Sequence, residues 1–438
     1  MLTFYHNSKF YLSLILGFIF QISLVFGQNP CSNYPMVGFA TVNAEGISTT
    51  TGGAGGTTVT VTNINQLQAW SLTRENNTSA QILYISGKIS TADVASSLIT
   101  IKNGANISII GINGGELQGV GLNIRDYNNV IVRNLKIHEV VYPNDGLTLD
   151  NVNHSWVDHN EFYSINGPGI GVDTYDGLFD IKKGSRYVTV SWNVFHDHKK
   201  VLLIGHTDNV SAQAEDSQFK ITIHHNYFYN NDGRNPSLRF GLVHMYNNYF
   251  KIIYDYGMAV RQGARALIEN NVYADVKTPI ATDKFDGPAG FACESGNIYS
   301  NSGSSSITQT ACSFWTNTTI PYSYTLDVAS TVAPTVIKDA GLCNNNANPT
   351  RTLPLDIITA IENINNYTLS KVYPNPTKTE FNINYSDIER VSIYAISGEI
   401  IELLNLSQMR FGSDYLPGVY VVKIEKSGSV QTLKVVKH

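Results

Sequence analysis

The segment "ITIHHNYF", residues 221–228, decides the fold, because the chain repeats its pattern four more times. Each copy has an alternating, β-prone run, then Asn, one further residue and an aromatic residue. The repeated asparagines are spaced by 33, 33, 22 and 23 residues and are Asn160, Asn193, Asn226, Asn248 and Asn271. Looser copies occur at 106–114 and 129–137. A period of this length indicates stacked structural repeats.

One repeat is too short for a strand–helix–strand crossover, but it fits a single coil of a parallel β-helix. Stacked coils place equivalent residues above one another. We therefore expect the asparagines to hydrogen-bond along the stack and the aromatic rings to stack inside it. The longer intervals predict loops on one side, where functional residues commonly lie. A structural or adhesive solenoid is the alternative.

Composition excludes two classes of protein. The chain has 438 residues, enough for two or three domains, with only 15% charged residues and a net charge of −5. A basic nucleic-acid binder and a disordered chain would both differ from this. At the N-terminus, an apolar run at 10–26 follows Lys9 and resembles a secretory signal peptide, residues 1–27, cleaved before Gln28. A membrane anchor is the alternative, but polar residues interrupt the run, so we expect no stable membrane span.

The four cysteines follow the predicted signal peptide and would meet an oxidising compartment. They are Cys31, Cys293, Cys312 and Cys343. Three pairings are possible, and sequence alone does not choose among them. We expect a bridge between Cys293 and Cys312, which are the closest pair. Their spacing does not suggest a zinc site.

Three aspartates lie in segments that stacking can bring to one side of the solenoid. Asp145 occurs in "YPNDGLTLD", and Asp176 and Asp180 occur in "DGLFDIKKGS". Carboxylates are the ligands that Ca²⁺ prefers, and this ion tolerates irregular geometry. Solvated acids or turn residues are the alternative reading of such a pair.

Cations follow at corresponding places in the next repeats. Lys200 comes seven residues after Asn193, and Arg234 comes eight residues after Asn226, with Arg239 close behind. These side chains should project near the same edge as the acids. Carboxylates beside cations suit an anionic ligand bridged by a metal ion, whereas a surface salt-bridge ladder would contribute little.

Several ordered motifs resemble polysaccharide lyase family 1, the pectate lyases. They include "WVDHNEF", "DGLFDIKKGSRYVTVSWNVFHDHKKVLLIG", "ITIHHNYFYNNDGRNPSLRFGLVHMYNNYF" and "MAVRQGARALIENNVY", and the resemblance covers roughly residues 34–345. It implies a right-handed parallel β-helix that cleaves polygalacturonate by β-elimination.

The resemblance also implies roles for individual residues. The Ca²⁺ ligands would be Asp145, Asp176 and Asp180. Arg234 would be the catalytic base, and the substrate would be bound by Lys200, Arg239 and Arg261. Two positions depart from the pattern: Pro143 replaces an aspartate found in some relatives, and Asp176 stands where Glu is common.

The expected chemistry is proton abstraction beside a carboxylate. Positive charge from Ca²⁺ and Lys200 would stabilise the enolate-like intermediate. Cationic neighbours would favour the neutral form of Arg234, which is a strong base. Trp156, Asp158 and His159 also resemble a family motif, and we interpret them as packing and hydrogen-bonding residues beneath the site.

The C-terminal part has a different pattern. Residues 346–368 are typical of a linker, and 369–438 contain short alternating strands separated by turn residues, which predicts a small β-sandwich. "VYPNPT", "VSIYAISGEII" and "LPGVYVVKI" resemble a type IX secretion sorting domain of Bacteroidetes. A carbohydrate-binding module is the alternative, with Phe381, Phe411 and several tyrosines as its sugar platform.

The sequence therefore predicts an all-β protein: a signal peptide (1–27), a pectate lyase β-helix (28–345), a linker and a sorting domain. We expect a monomer, secreted through the periplasm, with polygalacturonate or pectin and the secretion machinery as partners and no nucleic acid. A pectin lyase for methylated pectin would not need the three aspartates, and a noncatalytic solenoid would not need Arg234. A hydrolytic polygalacturonase would need a cluster of acid and base carboxylates.

Overall fold

A computed structural model describes residues 34–91, 98–343, 371–384, 388–395, 399–405, 409–426 and 429–438. The predicted signal peptide and linker lie outside the described residues. The chain falls into two compact units divided between Asn346 and Ala347, and each is described by itself. Within the described ranges, no helix is both long and apolar enough to cross a membrane.

The first unit is a parallel β-solenoid of about 10 turns, which confirms the predicted β-helix. Its strands are β1 Thr57–Val61, β2 Gln81–Ser90, β3 Leu98–Gln118, β4 Gly121–Arg133, β5 Lys136–His138, β6 Leu147–Asp158, β7 Glu161–Tyr163, β8 Phe179–Lys182, β9 Arg186–Ser191, β10 Val194–His196, β11 Leu202–Ile204, β12 Lys220–His224, β13 Tyr227–Asn231, β14 Ser237–Arg239, β15 Leu242–Tyr246, β16 Tyr249–Ile253, β17 Met258–Arg261, β18 Arg265–Glu269, β19 Val272–Val276, β20 Ile280–Ala281, β21 Phe291–Ser295 and β22 Ile298–Ser300.

The strands form three ladders, which we call faces. The first face runs from the start of β6 through β8, β11, β14, β17 and β20. The second runs from the end of β6 through β9, β12, β15, β18 and β21. The third runs through β5, β7, β10, β13, β16, β19 and β22. Long strands such as β6 bend from one face to the next.

The helices are short. They are α1 Ile64–Thr73, α2 Gln213–Asp216 and α3 Ala329–Asp339, with 3₁₀ turns at Phe39–Thr41, Val210–Ala212 and Cys312–Phe314. The Asn63 side chain caps α1 by accepting a hydrogen bond from the Gln66 backbone N–H. Ile64, Leu67 and Trp70 recur on one side of this helix and join the solenoid core.

The predicted asparagine ladder and aromatic stack both occur. The amides of the five asparagines donate in turn to the next Asn Oδ1 at 2.9–3.1 Å, and the ladder extends to Asn297, which the repeat pattern did not indicate. On the third face, the rings stack with centroids 4.6–5.1 Å apart in the order Phe162, Phe195, Phe228, Phe250 and Tyr273. These contacts fix the register of one coil on the next.

A left-handed residue precedes each ladder asparagine. The φ angles lie between 49° and 54° at His159, Trp192, His225, Asn247 and Asn270. Each coil therefore turns sharply from the second face to the third. Of these residues, the bulky Trp192 is the type that least commonly adopts this conformation.

The expected disulfide between Cys293 and Cys312 is present, with an S–S distance of 2.04 Å. It joins β21 on the second face to the 3₁₀ turn at Cys312–Phe314. This bridge links the last coils to the segment that follows them. It stabilises the fold by lowering the conformational entropy of the unfolded chain.

The second unit consists of two antiparallel sheets around one apolar core, as a sandwich requires. One sheet has β23 Lys371–Tyr373, β24 Phe381–Asn384 and β27 Arg410–Phe411; the other has β25 Arg390–Ala395, β26 Ile400–Leu403, β28 Gly418–Lys426 and β29 Ser429–Lys437. Phe381 and Phe411 are buried in the core that the two sheets share. They are therefore unavailable as a sugar platform, which removes part of the case for a carbohydrate-binding module.

Candidate active site

Four of the predicted site residues lie in the turns that enter consecutive strands of the first face. In chain order these are Asp145 before β6, Asp176 before β8, Lys200 before β11 and Arg234 before β14. The turns are hydrogen-bonded to one another: Gly146 N–H donates to Gly177 O at 2.9 Å, and Leu202 N–H donates to Arg234 O at 2.7 Å. Stacking of the coils thus brings together residues that are far apart in the sequence.

Asp145 and Asp180 share one cation, Lys182. Its ammonium lies 2.7 Å from Asp145 Oδ2 and 3.0 Å from Asp180 Oδ2. Although burial opposes the charged form, the two carboxylates raise the pKa of Lys182. Burial, together with the charge of Asp145, raises the pKa of Asp180 to about 7, while Lys182 acts in the opposite direction. The cluster thus contains two neighbouring acids whose negative charge is only partly compensated by one lysine.

The turn at Gly177 leaves room for these carboxylates. A Cβ at this position would lie 2.2 Å from Asp180 Oδ1 and 3.0 Å from Asp145 Oδ1. The Gly177 N–H donates to Asp145 Oδ1 at 3.0 Å, whereas Asp180 Oδ1 is buried without a hydrogen-bond partner. A buried carboxylate oxygen without a partner is costly, and a cation is one group that would satisfy it.

Asp176 faces a different cation. Its Oδ1 lies 2.9 Å from Lys200 Nζ, which also lies 3.0 Å from Asp173 Oδ1. The three predicted Ca²⁺ ligands therefore lie in one region, but they are split between Lys182 and Lys200. In the part of the chain that the structure describes, no three His, Cys, Asp or Glu side chains are gathered closely enough to hold a metal ion.

Arg234 differs from the neighbouring cations. Among the described residues, no carboxylate lies within ion-pair distance of its guanidinium, whereas Lys182, Lys200, Arg239 and Arg261 all have such partners. Its φ of 60° is unusual for a residue with a long side chain and places it in a sharp turn. Asn235 contributes two of the hydrogen bonds that hold this turn: its N–H donates to Gly257 O at 2.9 Å, and its Nδ2 donates to Tyr256 O at 3.0 Å.

Arg239 and Arg261 form a pair on neighbouring coils. They are register partners on β14 and β17. Both bind one carboxylate, that of Asp208, from the loop between β11 and β12. Burial raises the pKa of Asp208, but the two guanidiniums lower it by more, so the net shift is downward. Burial and the charge of Arg239 lower the pKa of Arg261.

Several residues at the site were not indicated by the sequence pattern. Lys182 follows Asp180 by two residues on one strand, and this alternation could have placed both side chains on one side. His198 binds Ser164 Oγ and Asp176 O, each at 2.5 Å, and burial lowers its pKa to about 4. Asp173 and Asp208 lie in irregular loops, where no periodicity signals their position.

Trp156, Asp158 and His159 are packing residues, as expected, but they do not lie beneath the site. They belong to the end of β6 and the turn after it, at the second face. Asp158 is fully buried and accepts hydrogen bonds from Arg133, Ser191 and His159 at 2.6–2.7 Å. The long strand β6 bends between Asp150 and Asn153, which separates these residues from Asp145.

The parallel β-solenoid of the first unit is the fold of solved polysaccharide lyases. The family model described as pectate lyase matches residues 10–345, and that of a secretion system C-terminal sorting domain matches residues 371–438. The chain belongs to the pectate lyase family and carries a sorting domain at its C-terminus.

Individual relatives agree with this assignment. A pectate trisaccharide-lyase of Bacillus licheniformis is 41% identical over 318 residues, which cover 72% of this chain and 88% of that protein. The solved pectate lyase of Bacillus sp. N165 in complex with trigalacturonate is 34% identical, with a TM-score of 0.61, and covers 70% of this chain and 99% of its own. Pectate lyase C from Erwinia chrysanthemi, solved with Ca²⁺, is 27% identical, with a TM-score of 0.59, and covers 73% and 99%.

Proposed function

We propose that this pectate lyase is a secreted, Ca²⁺-dependent enzyme that cleaves (1→4)-α-D-galacturonan by β-elimination and releases 4,5-unsaturated oligogalacturonates. The observation that carries the proposal is the Arg234 guanidinium, held in a left-handed turn with no carboxylate in ion-pair distance among the described residues. A structural arginine would be expected to pair with one of the many acids nearby. The relative solved with trigalacturonate supports the choice of substrate.

In the proposed reaction, Arg234 in its neutral form accepts the proton from carbon 5 of a uronate. The electron pair forms the double bond between carbons 4 and 5, and the bond from carbon 4 to the glycosidic oxygen breaks. The departing oxygen takes a proton from solvent. Lys200 and Arg239 stabilise negative charge on the substrate carboxylates, since both project from the same face as Arg234.

The residues that would hold Ca²⁺ are Asp145, Asp176 and Asp180. Two observations favour this role: the donors are hard carboxylate oxygens, and Asp180 Oδ1 is buried without a partner. Asp176 is paired with Lys200, so it would have to leave that lysine to join the other two acids. When bound, the ion would supply positive charge that makes the proton beside an ionised carboxylate easier to remove. Before metal binds, Lys182 and Lys200 neutralise part of the charge of these acids.

Export would depend on the C-terminal domain, since the sorting-domain match covers residues 371–438. The β-sandwich has its own apolar core. It is therefore suited to act as a separate recognition unit for the secretion machinery.

The function can be tested with polygalacturonate, with and without a chelator of divalent cations, by following the ultraviolet absorbance of the unsaturated product. We expect activity only with Ca²⁺. Asp180→Ala should lose most activity at low Ca²⁺ and keep its melting temperature. Asp275→Ala, which removes a carboxylate bound to Lys251 at the third face, should behave like the unaltered protein.

Other outcomes would identify the alternatives. Full activity in excess chelator would contradict a catalytic Ca²⁺ site. Cleavage of highly methylated pectin in preference to polygalacturonate would indicate a pectin lyase. Binding of polygalacturonate without any unsaturated product would indicate a noncatalytic solenoid.

A further inference from the structure

The Asp208 carboxylate bridges Arg239 and Arg261, the two arginines predicted to bind substrate. Its Oδ1 accepts a hydrogen bond from Arg239 Nε at 2.5 Å, and its Oδ2 accepts one from Arg261 Nη2 at 2.6 Å. A carboxylate held by two guanidiniums in this way has the same chemistry as a uronate carboxylate at a substrate site.

The exposed fractions of the three side chains show that Asp208 lies on the solvent side of the arginine pair. The side chains of Arg239 and Arg261 are only 12% and 11% exposed, whereas that of Asp208 is 45% exposed. Asp208 also belongs to the connection between β11 and β12, not to the first face itself. A ligand that approaches from solvent therefore meets Asp208 at the arginine pair.

Each guanidinium has a second contact that does not involve Asp208. Arg239 Nη1 donates to Gly205 O at 2.6 Å. The Arg261 guanidinium lies over the ring of Phe285, 4.3 Å from its centroid. Both arginines would thus keep their positions if Asp208 moved away, so the aspartate is not required to orient them.

We propose that Asp208 is an internal competitor of the substrate, which a uronate carboxylate must replace at Arg239 and Arg261. This inference rests on the proposed function. Replacing one carboxylate by another leaves the charge at the pair unchanged, so the exchange contributes little net affinity. Asp208 would therefore weaken the binding of both polysaccharide and oligosaccharide product, and its return would help to release the product.

A second loop aspartate has the same relation to the other substrate-binding cation. Lys200, whose side chain is 10% exposed, binds Asp173, whose side chain is 70% exposed, at 3.0 Å. All three cations predicted to bind substrate carboxylates thus hold an exposed aspartate from a loop. Among the described residues, Arg234, the predicted base, does not.

The decisive experiment uses Asp208→Asn in the full chain, which preserves shape and removes the charge. With saturating Ca²⁺, we expect KM for polygalacturonate to fall by roughly two- to fivefold, with little change in kcat. Trigalacturonate that lacks a 4,5-double bond, added as an inhibitor, should bind more tightly by a similar factor. KM for highly methylated pectin should change less, because an ester has no charge to gain from the freed arginines.

Asp275→Asn is the matched control, since it also removes one carboxylate from a partly exposed ion pair, but at the third face. Asp275→Asn should leave KM and kcat for polygalacturonate unchanged. A raised KM in Asp208→Asn would show that Asp208 positions the arginines, and an unchanged KM would show that it does not compete; either result overturns the proposal. If the unaltered protein forms no unsaturated product, the proposed function fails instead, and calorimetric binding of trigalacturonate to both proteins still tests the competition.

Discussion

The Asn226 side chain donates a hydrogen bond to Asn248 Oδ1 at 3.0 Å, and both residues are completely buried on neighbouring coils. Asn226 Nδ2 also donates to Val190 O and His224 O, and Asn226 Oδ1 accepts from both the backbone and the side chain of Asn193. One side chain therefore links three successive coils at the turn between the second and third faces.

Asn226→Ala should destabilise the solenoid by roughly 1–3 kcal/mol, because it leaves buried backbone groups without partners. Denaturant unfolding would measure the change. Asn297→Ala, at the partly buried end of the ladder, should cost less. Equal losses for the two variants would mean that burial of the ladder does not determine its contribution.

Arg234→Lys should lower kcat by about 10²–10⁴-fold and change KM little, because lysine keeps a positive charge but loses the geometry for proton abstraction. Steady-state kinetics on polygalacturonate would separate the two constants. Arg186→Lys, at the second face and paired with Glu45, is the matched control. A near-normal kcat with a raised KM would reassign Arg234 to substrate binding.

His196 should make stability depend on pH. It lies between Glu161 and Asp197 and stacks on Tyr163. Although burial opposes the charged form, the two carboxylates raise the pKa of His196 above 6.5. The stabilisation is complete below about pH 6.5 and is lost as the pH rises through the folded-state pKa.

His196→Gln should therefore flatten the decrease in the free energy of unfolding that begins above about pH 6.5. Urea titrations across this range would measure it. The same slope in the variant and in the unaltered protein would assign the pH dependence to other groups.

Deletion from Tyr367 to the C-terminus should leave a folded, active lyase that is no longer exported, because the solenoid and the sandwich have separate cores. Activity in cell fractions of the native host would show this. Normal extracellular activity of the truncated protein would contradict the role of the sorting domain.

The sequence by itself determined the solenoid, its internal ladder and the residue types at the site. A ladder asparagine such as Asn193 recurs once in each coil, and a repeated position forms a continuous stack only if the coils are parallel. The same periodicity placed Lys200 and Arg234 in equivalent turns. The antiparallel sandwich followed from alternating strands between turn residues.

Only the tertiary structure decided which charges meet. Lys182 pairs with Asp145 and Asp180, whereas Asp176 pairs with Lys200. Asp208 reaches Arg239 and Arg261 from a loop of irregular sequence. Asp158 is the last residue of β6, and Asp145 lies just before its first residue. The bend within β6 nevertheless separates the two side chains. Side-chain pairing depends on distances of a few ångströms between loops and coils, and a pattern of residue types along one chain carries no measure of those distances.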